Sequence, residues 1–116
     1  VSNLEFEKPY TLEQLVRLLA DGVKAASDFC VYTDEYELTG IPSLTCYLAG
    51  YPEIDDDDEE LYPAFVRENN LELFFYGDQL EDVVRNALTQ KANASASEII
   101  DGINWYIKSD TFIDLA

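Results

Sequence analysis

The chain predicts an α+β domain: an antiparallel sheet of three to four strands covered by about three helices, in the order α-β-β-β-α-α. Three observations carry that reading. Near the start, Leu12, Leu15, Val16, Leu19 and Val23 recur at helical spacing. The middle of the chain holds runs of β-branched and aromatic residues. Two further helical stripes close it, so helices and strands are segregated instead of alternating. At 116 residues there is room for one core, and 1–116 reads as a single domain with an acidic loop at about 50–63.

Each element has its own local signal. Thr11-Leu12-Glu13-Gln14 is a capping box, in which the Thr11 hydroxyl accepts from the Gln14 amide while the Gln14 side chain reaches back. It opens a helix expected over about 12–26. Asp28 to Thr33 and Ser43 to Leu48 read as strands, joined by an acidic connection through Asp34, Glu35, Tyr36 and Glu37. From Gly50 to Pro63 there is no periodicity and a proline near either end, which reads as a loop. Leu71 to Tyr76 reads as a strand ended by Gly77, and Asp78-Gln79-Leu80-Glu81 as a second capping box opening a helix of about 78–91. Ser95-Ala96-Ser97-Glu98 caps a third helix with Ile99, Ile100, Ile103, Tyr106 and Ile107 on its apolar face. Thr111-Phe112-Ile113 closes the chain as a docked tail or short strand.

The loop carries the most distinctive segment. Glu53, Asp55, Asp56, Asp57, Asp58, Glu59 and Glu60 place seven carboxylates in eight positions between Tyr51 and Tyr62, in a chain of formal net charge -17. Self-repulsion of such a run opposes compactness, so folding does not account for it. A solvated loop that keeps the protein soluble is the plain reading. If it is one, neutralising the acids leaves stability unchanged or slightly raised. A hydrophobic content of 47 % separates the chain from a disordered acidic tail.

Charge also bounds the partners. The seven bases are scattered singly, so direct binding to nucleic acid or to an anionic membrane is disfavoured, and the field attracts cations or a basic protein. No apolar run is long enough for a membrane span, and the start lacks the features of a signal peptide, so a cytoplasmic protein is expected. Cys30 and Cys46 sit in apolar surroundings without metal or redox spacing and read as buried reduced thiols, a disulfide being the alternative.

Catalytic signatures are missing. Histidine is absent, which removes the commonest general base and metal ligand, and no phosphate-cradling loop or nucleophile elbow occurs. No enzymatic activity and no cofactor are expected. The alternating Asp55, Asp57 and Glu59 resemble the start of a calcium loop, but Val66 stands where the bidentate glutamate is needed and the turn glycine is missing. Phe29, Tyr32, Tyr47, Phe74 and Trp105 read as core. Tyr36, Tyr51 and Tyr62 border acidic loops, where an interface facing arginines and lysines would use them, and loop anchoring is their other use.

Small, acidic, histidine-free α+β domains with an exposed carboxylate loop resemble bacterial immunity proteins. The second half, from Leu71-Glu72-Leu73 through Asp78-Gln79-Leu80-Glu81-Asp82-Val83-Val84 to Asn104-Trp105-Tyr106 and Asp110-Thr111-Phe112-Ile113, looks like a family of small acidic bacterial proteins, some of whose relatives are thought to act in this way. The likeness spans about residues 70–113 and transfers no site residue. It implies a cytoplasmic protein that neutralises a cognate basic toxin of the contact-dependent growth inhibition type, a nuclease domain in particular.

Together these features predict a monomer that enters a heterodimeric toxin–immunity complex and occludes the toxin by mimicking its anionic substrate. The candidate partner-binding residues are Asp34, Glu35, Tyr36, Glu37, Tyr51, Glu53, Asp55 to Asp58, Glu59, Glu60 and Tyr62. Three rival readings stand beside it: a nucleic-acid mimic of the anti-restriction type, with charge spread at phosphate spacing, a cation-responsive module, and an adaptor.

Overall fold

The computed structural model describes residues 3–25, 27–34 and 40–115. Within them the strands are β1 (Asn3–Leu4), β2 (Pro9–Thr11), β3 (Lys24–Ala25), β4 (Cys30–Thr33), β5 (Thr45–Ala49), β6 (Glu53–Ile54), β7 (Glu60–Leu61) and β8 (Glu72–Tyr76). The helices are α1 (Leu12–Ala20), α2 (Ala64–Glu68), α3 (Gly77–Gln90) and α4 (Ala96–Ser109). The main sheet is antiparallel in the order β2-β5-β4-β8, with two small satellites, β1 parallel to β3 and β6 antiparallel to β7. The α+β class with a four-stranded antiparallel sheet is as the sequence predicts.

Local chemistry explains where the helices stop and start. The capping boxes at Thr11 and Ser95 both form. Helix α1 ends at Ala20, short of the expected 26. Gly22 takes φ 86, the Gly22 amide donates to the Leu19 carbonyl and the Val23 amide to that of Leu18. That is a Schellman termination, which frees Lys24–Ala25 to pair with β1. The same device ends α2, with Asn70 at φ 53 and Leu71 donating back to Val66. The capping box expected at Asp78 does not form. Gly77 is already helical, Tyr76 is the N-cap without a side-chain bond, and Asp78 Oδ1 accepts from the adjacent Gln79 amide.

The larger core lies between the sheet and α1, α3 and α4. Leu12, Leu15, Leu80, Val83, Ile99 and Ile103 meet Val31, Cys46, Leu48, Phe74 and Phe75 from the strands. Asn104 on α4 ties the layer to the chain after β4: its Oδ1 accepts from the Gly40 amide at 2.7 Å and its Nδ2 donates to the Gly40 carbonyl at 2.8 Å. The tail is docked and not a strand, since the Gln90 amide donates to the Ile113 carbonyl and accepts from the Leu115 amide. Trp105, expected in the core, is exposed, and its indole donates to Thr111 Oγ1. On α4 it lies well away from Ile99 and Ile103, at a position that the 3.6-residue period turns outward.

The opposite face of the sheet is also covered, and the sequence did not show this. Cys30, Tyr32, Ala49 and Val66 form a second buried cluster, with Tyr62, Leu71 and Leu73 against it. Phe65 of α2, a helix the sequence reading missed, packs on Tyr47 with ring centroids 5.6 Å apart. The excursion through residues 50–71 thus serves as a lid of one short helix over a face that would otherwise expose tyrosines. Cys30 and Cys46 are both free and buried, and they belong to clusters on opposite faces of the sheet, so they cannot bridge. Burial pushes the Cys30 thiol up to about 11 and the Cys46 thiol up to about 12, which keeps both protonated and inert.

Candidate partner-binding site

The acidic segment is not a structureless loop. Glu53 pairs with Leu61 and Ile54 with Glu60 in an antiparallel hairpin. The Asp55 amide donates to the Glu59 carbonyl at 2.9 Å and the Asp58 amide to the Asp55 carbonyl at 3.1 Å. Asp58 sits at φ 61, the left-handed residue that follows a type I turn in a three-residue hairpin loop. Aspartate tolerates that conformation better than most side chains, so no glycine is needed. Asp55 holds the turn from within, its Oδ1 accepting from the Asp57 amide at 2.9 Å and the Glu59 amide at 3.0 Å. Repulsion between neighbouring carboxylates favours an open loop, and what overrides it is the capacity of an aspartate to bond its own turn.

Every residue from Glu53 to Leu61 is exposed. Seven carboxylates therefore stand in water on an ordered two-stranded support, with Ile54 and Leu61 exposed among them. Asp55 Oδ1, the first oxygen of the calcium-like spacing, is already engaged by two amides. Among the described residues no three acids or thiols converge in metal-binding geometry.

The two flanking tyrosines root the hairpin in the domain. Tyr62 meets Tyr32 edge to face with centroids 6.2 Å apart, and its hydroxyl donates to Glu60 Oε2 at 3.2 Å. Tyr32 in turn donates to the Gly50 carbonyl at 2.8 Å, at the point where the chain leaves β5. Tyr51 stacks on Tyr76, with centroids 5.8 Å apart and planes 17° apart, and donates to Asp78 Oδ1 at 2.9 Å. Partial burial and the facing Asp78 carboxylate push the Tyr51 phenol up to about 12. Burial and the Glu60 bond raise Tyr62, and deeper burial beside Cys30 raises Tyr32 further. Tyr51 and Tyr76 nonetheless remain 38 % and 37 % exposed.

Tyr76 and Asp78, which carry no local signal for this placement in the sequence, lie against Tyr51. A bulge puts Tyr76 there. Val31 pairs with Phe75 while Tyr32 pairs with Leu73, so Phe74 is an extra residue in β8. Phe74 and Phe75 both enter the helix-side core, whereas Leu73 and Tyr76 face the other way. Strict alternation from Leu73 would have sent Tyr76 among the helices. The adjacent Phe74-Phe75 doublet was the available hint, since two bulky apolar neighbours in a half-buried strand break its alternation. Gly77 then fixes the strand-to-helix corner. Its amide donates to the Phe29 carbonyl at 2.9 Å, and a Cβ there would stand 2.2 Å from that oxygen.

The remaining predicted residues lie elsewhere. Asp34 is exposed at the end of β4 opposite the one where Gly50 and Tyr51 leave the sheet, about 13 Å along the strand for four residues. Glu35, Tyr36 and Glu37 fall outside the described residues. The structure brings Tyr51, Tyr62 and the 53–60 acids together in one region and does not bring Asp34 into it.

A family model described as a domain of unknown function (DUF7716) matches residues 14–115, which takes in all but the first two residues of α1, the sheet from β4 onward, the hairpin and the last two helices. No curated protein and no solved structure matches the chain.

Proposed function

We propose that this chain, which belongs to the DUF7716 family of domains of unknown function, is an inhibitor of the immunity-protein kind. It neutralises a basic protein toxin in the cytoplasm, a nuclease domain in particular, by occupying the surface that holds the toxin's anionic substrate. The observation that supports this most is the hairpin: seven exposed carboxylates on hydrogen-bonded backbone, rooted through tyrosines in a packed face. An ordered acidic projection enters a cationic cleft with little ordering cost, unlike a flexible tail. Its field raises the encounter rate and selects a basic partner, while the half-exposed tyrosines supply contact area that slows release. Charge concentrated on one projection suits a single cleft better than a duplex-length surface, so the nucleic-acid mimic is the poorer fit. No step of this mechanism requires the chain to turn over a substrate.

The test is association kinetics with a basic nuclease domain, sought first in the reading frames next to the gene, followed across a salt series. Replacing Asp56, Asp57, Asp58, Glu59 and Glu60 by Asn or Gln is expected to lower the association rate at least tenfold at low salt, and added salt to do much the same to the wild type. A neutralised variant that binds as fast and protects cells as well as the wild type would refute the reading.

A further inference from the structure

The hairpin supplies charge without specifying which cation it meets; the Tyr51–Tyr76 stack does specify. These two rings are held nearly parallel, 17° apart, and each keeps over a third of its surface open. A structural anchor alone would not need both rings at the surface. Tyr62, the other root of the hairpin, is more covered and packs on the buried Tyr32.

Three devices aim this stack. The bulge at Phe74 turns Tyr76 to the hairpin face, Gly77 locks the corner against Phe29, and the Tyr51 hydroxyl bonds Asp78 Oδ1. Asp78 Oδ1 serves Tyr51 and the Gln79 amide, which leaves Oδ2 without a donor among the described residues. An open aromatic face beside an open carboxylate oxygen matches one side chain above others. Planar guanidinium lies flat on an aromatic ring and presents its N–H fork at the ring edge, whereas an ammonium is a more strongly hydrated point charge that gains less from the ring. The net charge of -17 and the neighbouring carboxylates make a cation the complementary occupant and disfavour a second copy of this chain.

The geometry points to the Tyr51–Tyr76 stack with Asp78 as an arginine-docking platform, on which a basic protein partner lays one guanidinium at the foot of the acidic hairpin. This rests on the inhibitor reading for the identity of the partner, but the arginine selectivity is a property of the isolated protein.

Hexa-arginine and hexa-lysine peptides probe it, titrated into the full chain by calorimetry at about 0.15 M salt, where long-range attraction is screened. The wild type is expected to bind the arginine peptide about three- to five-fold more tightly, the size of one exposed cation–π contact. Tyr76→Leu is expected to bring the ratio to near one, while the variant with hairpin acids neutralised weakens both peptides and keeps the ratio. The δ protons of the bound arginine should also move upfield in the wild-type NMR spectrum from ring currents, a measurement that stands even if Tyr76→Leu fails to fold. Equal binding of the two peptides, a ratio untouched by Tyr76→Leu in a folded variant, or no upfield shift overturns the platform. If the platform holds and no basic toxin is bound, the inhibitor reading alone fails; if neither peptide binds, the platform alone fails, and the inhibitor reading is decided by the toxin kinetics.

Discussion

Gly77→Ala isolates the junction that joins fold to site. The added methyl would stand 2.2 Å from the Phe29 carbonyl oxygen and 2.9 Å from two carbons of the Phe29 ring, where ordinary contact begins at 3.4 Å. The near neighbour is backbone, so no rotamer change relieves it. Either α3 backs away from β4 or the bond from the Gly77 amide to the Phe29 carbonyl breaks. Overpacking of this kind costs about 1–3 kcal/mol, and the lost bond about 1 kcal/mol. Alanine recovers at most about 1 kcal/mol of helix propensity, less at the first helical position. The net expectation is a destabilisation of about 2–3 kcal/mol. Urea unfolding followed by tryptophan and tyrosine fluorescence measures it, with the slope m checked for constancy so that the midpoint shift reports stability. Gly50→Ala is the control, because nothing lies within 4 Å of its Cβ position, and it should stay within about 0.5 kcal/mol of wild type. A Gly77→Ala protein as stable as the control would refute the close approach, and with it the rigid aim assigned to Tyr76 and Asp78.

Asn104→Ala removes both bonds to Gly40 and is expected to cost about 2 kcal/mol in the same assay, with Asn104→Asp intermediate because it keeps only the acceptor. Asp55→Ala removes the acceptor of two turn amides and should speed hydrogen exchange at Asp57 and Glu59 with little change in global stability, whereas Asp55→Asn, which keeps an acceptor oxygen, should leave exchange close to wild type. Neutralising the hairpin acids other than Asp55 leaves stability unchanged or slightly higher; a loss beyond about 2 kcal/mol would show contacts the exposed hairpin lacks. Tyr51, Tyr32 and Tyr62 have raised folded pKa values. The fold therefore favours their neutral phenols, and that stabilisation is whole below the ordinary value of 10.0 and, for Tyr51, is lost as pH rises through about 12. A spectroscopic titration of tyrosinate should show late-ionising phenols, one of them missing in Tyr51→Phe; all eight tyrosines ionising together near the ordinary value would contradict the packing.

What could be read along the chain was whatever a few consecutive residues decide among themselves. Thr11 with Gln14 and Ser95 with Glu98 cap their helices through bonds spanning three residues, and the stripes on α1, α3 and α4 follow from a 3.6-residue period, so the class and three of the helices were legible. The density of charge at 53–60 and its tyrosine borders were legible for the same reason. The short helix over the second face was not, because α2 has five residues and is held by burying Val66 and packing Phe65 on Tyr47 from a strand far away in sequence. Nor was the hairpin, whose turn depends on the direction of one Asp55 side chain and on Asp58 accepting a left-handed backbone. The grouping of Tyr76 with Tyr51 and Asp78 was decided by register. One extra residue at Phe74 reverses the face on which Tyr76 emerges, and that reversal comes from pairing with β4, some forty residues earlier. Local sequence sets which residues can be helix, strand or charge; only the packed sheet settles which two tyrosines and which aspartate come to share one surface.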